Sequence, residues 1–471
     1  VALGQVAVEF LALILMAGAL VWGLALVRAG GLLAVCVVTL FAGVVFGPAF
    51  LSVPGGPIPI TIDRVLLAGL VAMYALYRWW GWTERRALTS ADVVVMGLIG
   101  VLTANVFLHN WRINGMQSVS YLLFFWLMPL AMYWVVRHAP LSDRGLRNTC
   151  IAFAALGVYL AFTAVCEAKY QWKFVFPRYI VSPKFVEFLG RGRGPLLNPP
   201  GNGILMACCL ACGLMIWPRC EWRGKLLLAG GFTPLLLAGM YCTLTRSVWM
   251  GAAATLLVVV GLSMPKRWRV PAVTIAALAG LLTVAASWDH LLAFKRDKNL
   301  SAAETADSTT LRPILAYVAW HMFEDRPIMG CGLGHYLENH NPYLHDRSTE
   351  LVLSKVRPYV QHNAVLSLLV ETGLSGLTAF LLMLFLWARS AWQLWSNLGL
   401  QLWQRQAGLL YLSLLAAYLP NAMFHDTTII AMQNMLLFVW GGVVMNVATL
   451  PNESPQKCDV CSPQASAAAI A

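Results

Sequence analysis

The sequence predicts an all-α, polytopic transmembrane helical bundle of roughly 11 to 13 spans, with one long extracytoplasmic loop containing an amphipathic helix. Two observations carry this reading. Of 471 residues, 59% are hydrophobic and 11% charged, where an ordinary soluble domain has about 25% charged residues; mean hydropathy is +0.68. Apolar runs of roughly 20 residues also recur from end to end, each long enough to cross about 30 Å of hydrocarbon as a helix. A water-soluble core cannot hide so much apolar surface. Residues 1–450 therefore read as one integral membrane domain, and 451–471 as a disordered cytoplasmic tail.

Breaks at charged residues, Gly and Pro place the spans near 5–27, 31–50, 64–79, 91–109, 118–136 and 149–166. The second group lies near 201–217, 226–244, 247–264, 270–288, 363–387, 406–424 and 427–448. The first run has no basic segment before it and no clear small-residue cleavage site, so it reads as a membrane helix rather than a removed signal. Basic residues cluster between runs: Arg78, Arg85 and Arg86; Arg137, Arg144 and Arg147; Arg219, Arg223 and Lys225; Lys266, Arg267 and Arg269; Arg389 and Arg405. Alternation puts all of these on one face, expected to be the cytoplasm. They account for much of the net charge of +12, and no aromatic-interleaved basic patch points to nucleic acid.

Most of the eleven cysteines (Cys36, Cys150, Cys166, Cys208, Cys209, Cys212 and Cys242 among them) lie in or beside apolar runs, as small apolar side chains rather than a disulfide framework. Cys458 and Cys461 form one CxxC without the second pair that a zinc site needs.

The same alternation turns 51–63, 110–117, 167–200, 245–247, 289–361 and 425–428 outward. The segment 289–361 is the one long polar stretch, and six of nine histidines lie in it or at its end: His290, His321, His335, His340, His345 and His362. Loops of this length carry function or are disordered. Leu315, Val318, Ala319, Met322 and Phe323 recur at helical spacing, so Leu311 to Asp325 is expected as an amphipathic helix along the membrane face, after a flexible stretch at 301–310. His335, His340, His345 and Asp346 are spaced by about five residues, which does not set ligands on one helical face as a two-His metal motif does. No metal or other cofactor is expected.

Three outward helix starts carry candidate chemistry. Arg246 is the one charged residue between Lys225 and Lys266, and it opens an apolar run. A guanidinium at a helix N-terminus suits a phosphate, although snorkelling to the interface or pairing with Glu371 would also satisfy it. Arg191 and Arg193 lie in a Gly-rich loop that leads through Asn198-Pro199-Pro200-Gly201 into another run, presenting cations beside a second helix start; a linker held by lipid headgroups is the alternative. His362 and Asn363 open a third run. A helix N-terminus and nearby arginines disfavour imidazolium, leaving a neutral base, while a cap without chemistry is the bland alternative. Glu371 lies nine residues on, roughly 13 Å deeper, and reads as a structural partner for buried polar groups. His425 and Asp426 at a further outward turn are candidate pocket residues.

The stretch from Leu311 to Phe380 resembles the O-antigen ligase and polymerase family of bacterial envelope polysaccharide synthesis. The resemblance rests on Leu311-Arg312-Pro313, Trp320-His321-Met322-Phe323-Glu324-Asp325-Arg326-Pro327, Gly330-Cys331-Gly332-Leu333-Gly334, His362-Asn363-Ala364-Val365-Leu366 and Glu371-Thr372-Gly373-Leu374-Ser375-Gly376, with Arg191 to Asn202 and Thr245-Arg246-Ser247 upstream. It implies a metal-independent, inverting glycosyltransferase at the periplasmic face of the bacterial inner membrane. The donor would be a glycan on undecaprenyl diphosphate and the acceptor a glycolipid such as the lipid A core. By the same resemblance Arg191 and Arg246 hold the diphosphate, Arg312 joins their cationic pocket and His362 activates the acceptor hydroxyl; Arg193, Asn363 and His425, from the outward helix starts and turn, are expected to bind substrate nearby. Fixed guanidiniums can stabilise a departing diphosphate without Mg²⁺, and no outer segment offers an Asp-x-Asp pair. A repeat-unit polymerase is the alternative within the class. A lipid-linked glycan transporter or flippase is the alternative outside it, but that would place charges at the bilayer midplane rather than at outer helix ends.

Overall fold

The computed structural model describes residues 31–52, 60–112, 117–265, 302–346 and 348–450, with isolated positions between 267 and 282. Among the described residues there is no strand, and nine helices are long and apolar enough to cross a membrane. In chain order the helices are α1 Gly31–Val45, which is shorter, and α2 Ile62–Trp79. Then come α3 Ser90–Leu108, α4 Gln117–Arg137, α5 Asp143–Ala168, α6 Pro199–Arg219, α7 Trp222–Cys242 and α8 Arg246–Ser263. The loop helix α9 Ala302–Asp325 precedes α10 Ala364–Ser396, α11 Leu402–Phe424 and α12 Ala431–Ala448. A helix lies on every expected span except 5–27 and 270–288, which fall wholly or mostly outside the described residues, as do 289–301 and the 451–471 tail with its CxxC. The chain is a multi-pass membrane protein.

Local chemistry sets the helix starts. Thr89 and Asp92 cap α3 reciprocally, the Ser142 hydroxyl accepts from Gly145 N, and Asn198 accepts from Gly201 N ahead of Pro199 and Pro200 in the first turn of α6. α6 and α12 are the innermost helices, and α7 is the most exposed to lipid. Close approach explains the position of α12: a Cβ on Gly442 would lie 2.8 Å from the Tyr133 carbonyl oxygen, and one on Gly441 would lie 2.7 Å from the Trp387 ring. Asn446 Nδ2 ties the same helix to the Val136 and Ala139 carbonyls at 2.8 and 2.7 Å. Small residues and buried amides are how helices adhere where lipid is as apolar as the side chains.

The loop contains a folded cap. α9 begins at Ala302 rather than Leu311, so the helix runs through the stretch expected to be flexible; Ala302, Ala303, Glu304 and Ala306 are strong helix formers. Ile314, Leu315, Val318, Ala319 and Met322 bury themselves against Cys331, Tyr336, Leu344, Leu353, Val356 and Val370, a small core distinct from that of the bundle, and Phe323 packs on the bundle's core. The cap docks where α10 is broken at Gly373 (φ 65°). Cys331 N and Gly332 N donate to the Val370 and Glu371 carbonyls at 2.8 and 3.0 Å, while Leu374 N and Ser375 N donate to Pro327 and Ile328 at 2.8 and 3.2 Å. Asn105 of α3 closes the junction, donating to Met329 O at 2.6 Å and accepting from Leu333 N at 2.8 Å. The Glu371 carboxylate accepts from Gly334 N at 2.9 Å, the structural use of a deep carboxylate.

The basic loops meet at the other end of the bundle. Arg137 reaches Asp92, the Thr449 hydroxyl (2.8 Å) and the Ala87 carbonyl (2.9 Å), and Arg219 pairs with Asp143 while donating to Gln406 Oε1 at 2.8 Å.

Two outcomes test this architecture. Asp92→Ala leaves the Arg137 guanidinium buried beside no carboxylate, which costs about 3–5 kcal/mol; a lowered melting temperature in detergent checks this, and Asp92→Leu with Arg137→Met recovers much of it. Gly330→Ala drives a Cβ to 2.4 Å from the Val370 carbonyl oxygen at a positive φ, so protease sensitivity of the cap rises while that of the basic end stays unchanged.

Candidate active site

The end of α11, from Asn421 to His425, is the point where the separated candidate stretches meet. Ser247 Oγ, next to Arg246, donates to Asn421 Oδ1 at 2.9 Å. Asn363 Nδ2, next to His362, donates to the Met423 carbonyl at 3.0 Å. Arg312 sets its guanidinium carbon 5.2 Å from the centre of the Phe424 ring, a cation–π distance. One helix end thus touches three elements far apart in sequence.

Arg246 is the first residue of α8, and the backbone ahead of it turns sharply through Leu244 at φ 51°. Leu197, at φ 53°, does the same before the Asn198 cap of α6. Thr245 stands at the N-cap position of α8 but makes no cap bond to its own helix. Its hydroxyl instead accepts from Arg191 Nη2 at 2.8 Å and donates to the Thr243 carbonyl at 3.0 Å. Arg191 Nε also reaches that carbonyl at 3.3 Å, and its guanidinium lies 4.9 Å from the Phe188 ring. Arg191, though nearly buried, is therefore held one residue from Arg246. Burial first, and then the Arg246 charge, pull the Arg312 guanidinium below its ordinary pKa, which is the electrostatic mark of two cations drawn together.

Arg193 is not brought to this group. Although two residues from Arg191, its side chain is fully buried, donating to the Ile180 carbonyl at 2.5 Å and to the Glu187 carbonyl, with Glu167 Oε2 at 3.9 Å. Glu167 Oε1 also accepts from Gly194 N at 2.9 Å, so this pair holds the shape of the loop that presents Arg191. Asn363 spends its oxygen on α10, accepting from Val365 N and Leu366 N at 2.9 and 3.1 Å. With its amide on Met423, it fixes the helix start that carries the exposed His362, whose ring lies 6.5 Å from that of Tyr359. His425, half-buried, follows Phe424 directly. Asp426 is buried, bonded to Thr428 N at 3.0 Å and to the Ser367 side chain one turn below His362; burial raises its carboxyl above the usual range.

Three further histidines lie in the cap. His335 bridges Ser118 Oγ (2.9 Å) and Glu338 (2.8 Å), His340 bridges the Leu337 and Arg357 carbonyls (2.8 and 3.0 Å), and His345 contacts the Asn341 carbonyl (3.0 Å). Among the described residues no three His, Cys, Asp or Glu side chains form a group that fits a metal ion.

Asn105, Thr245 and Asn421 were not singled out individually by the sequence. A polar amide inside an apolar run is a signal that could have marked Asn105 and Asn421. Nothing in one dimension pairs Thr245 with Arg191.

Thr245→Val removes a hydrogen bond to a charged group, worth about 1.5–3 kcal/mol, from the fixing of Arg191. If the arginines form one functional unit, turnover in the purified protein falls by roughly ten- to a hundredfold with an unchanged melting profile, and Thr245→Ser restores most of it.

The family model described as O-antigen ligase matches residues 231–381. That segment includes Arg246, Arg312, His362 and Asn363, while Arg191, Arg193 and His425 lie outside it. No curated protein matches the chain.

Proposed function

We propose that this chain, which matches the O-antigen ligase family model over residues 231–381, is a polysaccharide ligase that moves a glycan from a lipid diphosphate to an acceptor hydroxyl at the periplasmic face of the bacterial inner membrane. The family is glycosyl-transferring in kind and acts on lipid-linked glycans and lipid A core acceptors. The observation that carries the finer reading is the convergence of Arg191, Arg246 and Arg312 with the His362-bearing helix start around the end of α11.

In this reading the arginines and the open start of α8 hold the diphosphate of an undecaprenyl-linked donor. His362, as a neutral imidazole, takes the proton of the acceptor hydroxyl. The hydroxyl oxygen attacks the anomeric carbon opposite the leaving group, the bond from that carbon to the phosphate oxygen breaks, and its electron pair leaves with the lipid diphosphate. The configuration inverts, and the growing charge is balanced by guanidiniums already in place, which needs no metal ion. Thr245, Asn421 and Asn363 are positioning residues, and Arg193 supports the Arg191 loop. A repeat-unit polymerase would use the same donor chemistry, and only the acceptor separates the two. The cations stand at the start of α8, in the loop before α6 and on the cap helix α9 rather than midway along a membrane span, which favours transfer over a transporter or flippase.

His362→Ala is expected to lower turnover by about 10²–10⁴-fold with donor binding retained, whereas Arg246→Ala weakens donor binding as well. A reconstituted transfer assay paired with donor-lipid binding checks both, and full activity in His362→Ala excludes the base assignment. In a deletion strain, mass analysis of envelope glycolipids separates the branches: unextended core with intact lipid-linked polymer means ligase, and single repeat units mean polymerase.

A further inference from the structure

The cap carries a second concavity, a cleft of about 580 Å³ between the last turns of α9 and the segment 338–346. This volume falls within the range of small-molecule sites. Its walls mix acceptors and donors at close spacing: the Asp325 and Asp346 carboxylates, the Arg326 guanidinium, the Asn339 amide and the Tyr343 phenol, over a floor that includes Cys331. These groups are held in place. Tyr343 O–H donates to Asp325 Oδ2 at 2.5 Å, Arg326 Nη1 to Asn339 Oδ1 at 3.3 Å, and Tyr317 O–H and Ser348 N to the two oxygens of Asp346, each at 2.8 Å. A carboxylate accepts at about four positions and a guanidinium donates from five N–H groups, so each retains capacity beyond these bonds. Cys331 N bonds to the Val370 carbonyl, which fastens the floor to α10.

We propose that this cleft binds one sugar unit of the glycan substrate, away from the bond being made. A polyhydroxylated ring needs donors and acceptors interleaved within one small volume, with a ring or apolar surface to lie against, and that is what the wall provides. The carboxylates disfavour a phosphate, and no three ligands among the described residues fit a metal ion. Position supports a remote unit. Arg312 and His321, a lining residue, lie on the same helix nine residues apart, which is roughly 13 Å. The same helix thereby runs from Arg312 to the cleft. This inference rests on the glycosyl-transfer reading and adds a specificity site to it; the glycan held there could belong to the donor or to the acceptor.

The test uses full-length protein in lipid nanodiscs, with Arg326→Ala and Asn339→Ala, and the conservative Asn339→Asp as a further variant. The probes are the saccharide released by mild acid from the cells' own lipid-linked glycan and, separately, core oligosaccharide released from their lipid A. Binding by calorimetry or saturation-transfer NMR is expected to weaken about tenfold or more for one probe, as loss of a hydrogen bond to a charged group does, with KM for that substrate raised and kcat little changed. Weakening for the donor saccharide makes this a donor subsite, and weakening for the core makes it an acceptor subsite. Unchanged affinity for both probes with unchanged KM in folded variants overturns the proposal. That result is distinguishable from failure of the transferase reading, which would appear as full activity in His362→Ala.

Discussion

A helix broken inside a membrane exposes backbone donors and acceptors that water cannot reach, and these must be satisfied within the protein. At Gly373 the carbonyls of Val370 and Glu371 and the N–H groups of Leu374 and Ser375 are all taken by the segment from Pro327 to Gly332. The polar cap is thereby anchored to the bundle by the same bonds that make the break tolerable. The candidate site at this end depends on that junction, which seats α9 with its Arg312 and fixes the stretch of α10 below His362.

The arginines divide by the kind of partner they meet. Arg137 and Arg193 reach buried carboxylates, which cancel charge and serve the fold. The contacts that orient Arg191 include the Thr243 carbonyl and the Thr245 hydroxyl, which fix the direction of its guanidinium. Arg246 adds to the effect of burial in lowering the pKa of the Arg312 guanidinium, as one cation near another does.

The fold was legible because bilayer thickness imposes a length on every span and lipid imposes apolarity; the expected spans within the described residues fall on helices. Polar residues at helix starts were legible for a related reason, since Arg246, Asn198 and Asn363 interrupt apolar sequence where unsatisfied N–H groups begin. The cap was less legible. Its helix started earlier than spacing suggested, and its histidines, which resembled a cluster in sequence, are dispersed among separate carbonyl, hydroxyl and carboxylate partners.

By itself the sequence determined that the chain crosses a membrane many times, which loops share a face, and which few cations and histidines stand at helix starts, because hydropathy and capping are local properties. Only the tertiary structure decided which of them meet. Arg191 and Arg193 are two residues apart and carry the same group, yet one turns to Thr245 beside Arg246 and the other turns into the loop to meet Glu167. That choice depends on which helices pack behind the loop, a contact over tens of residues that no local pattern encodes.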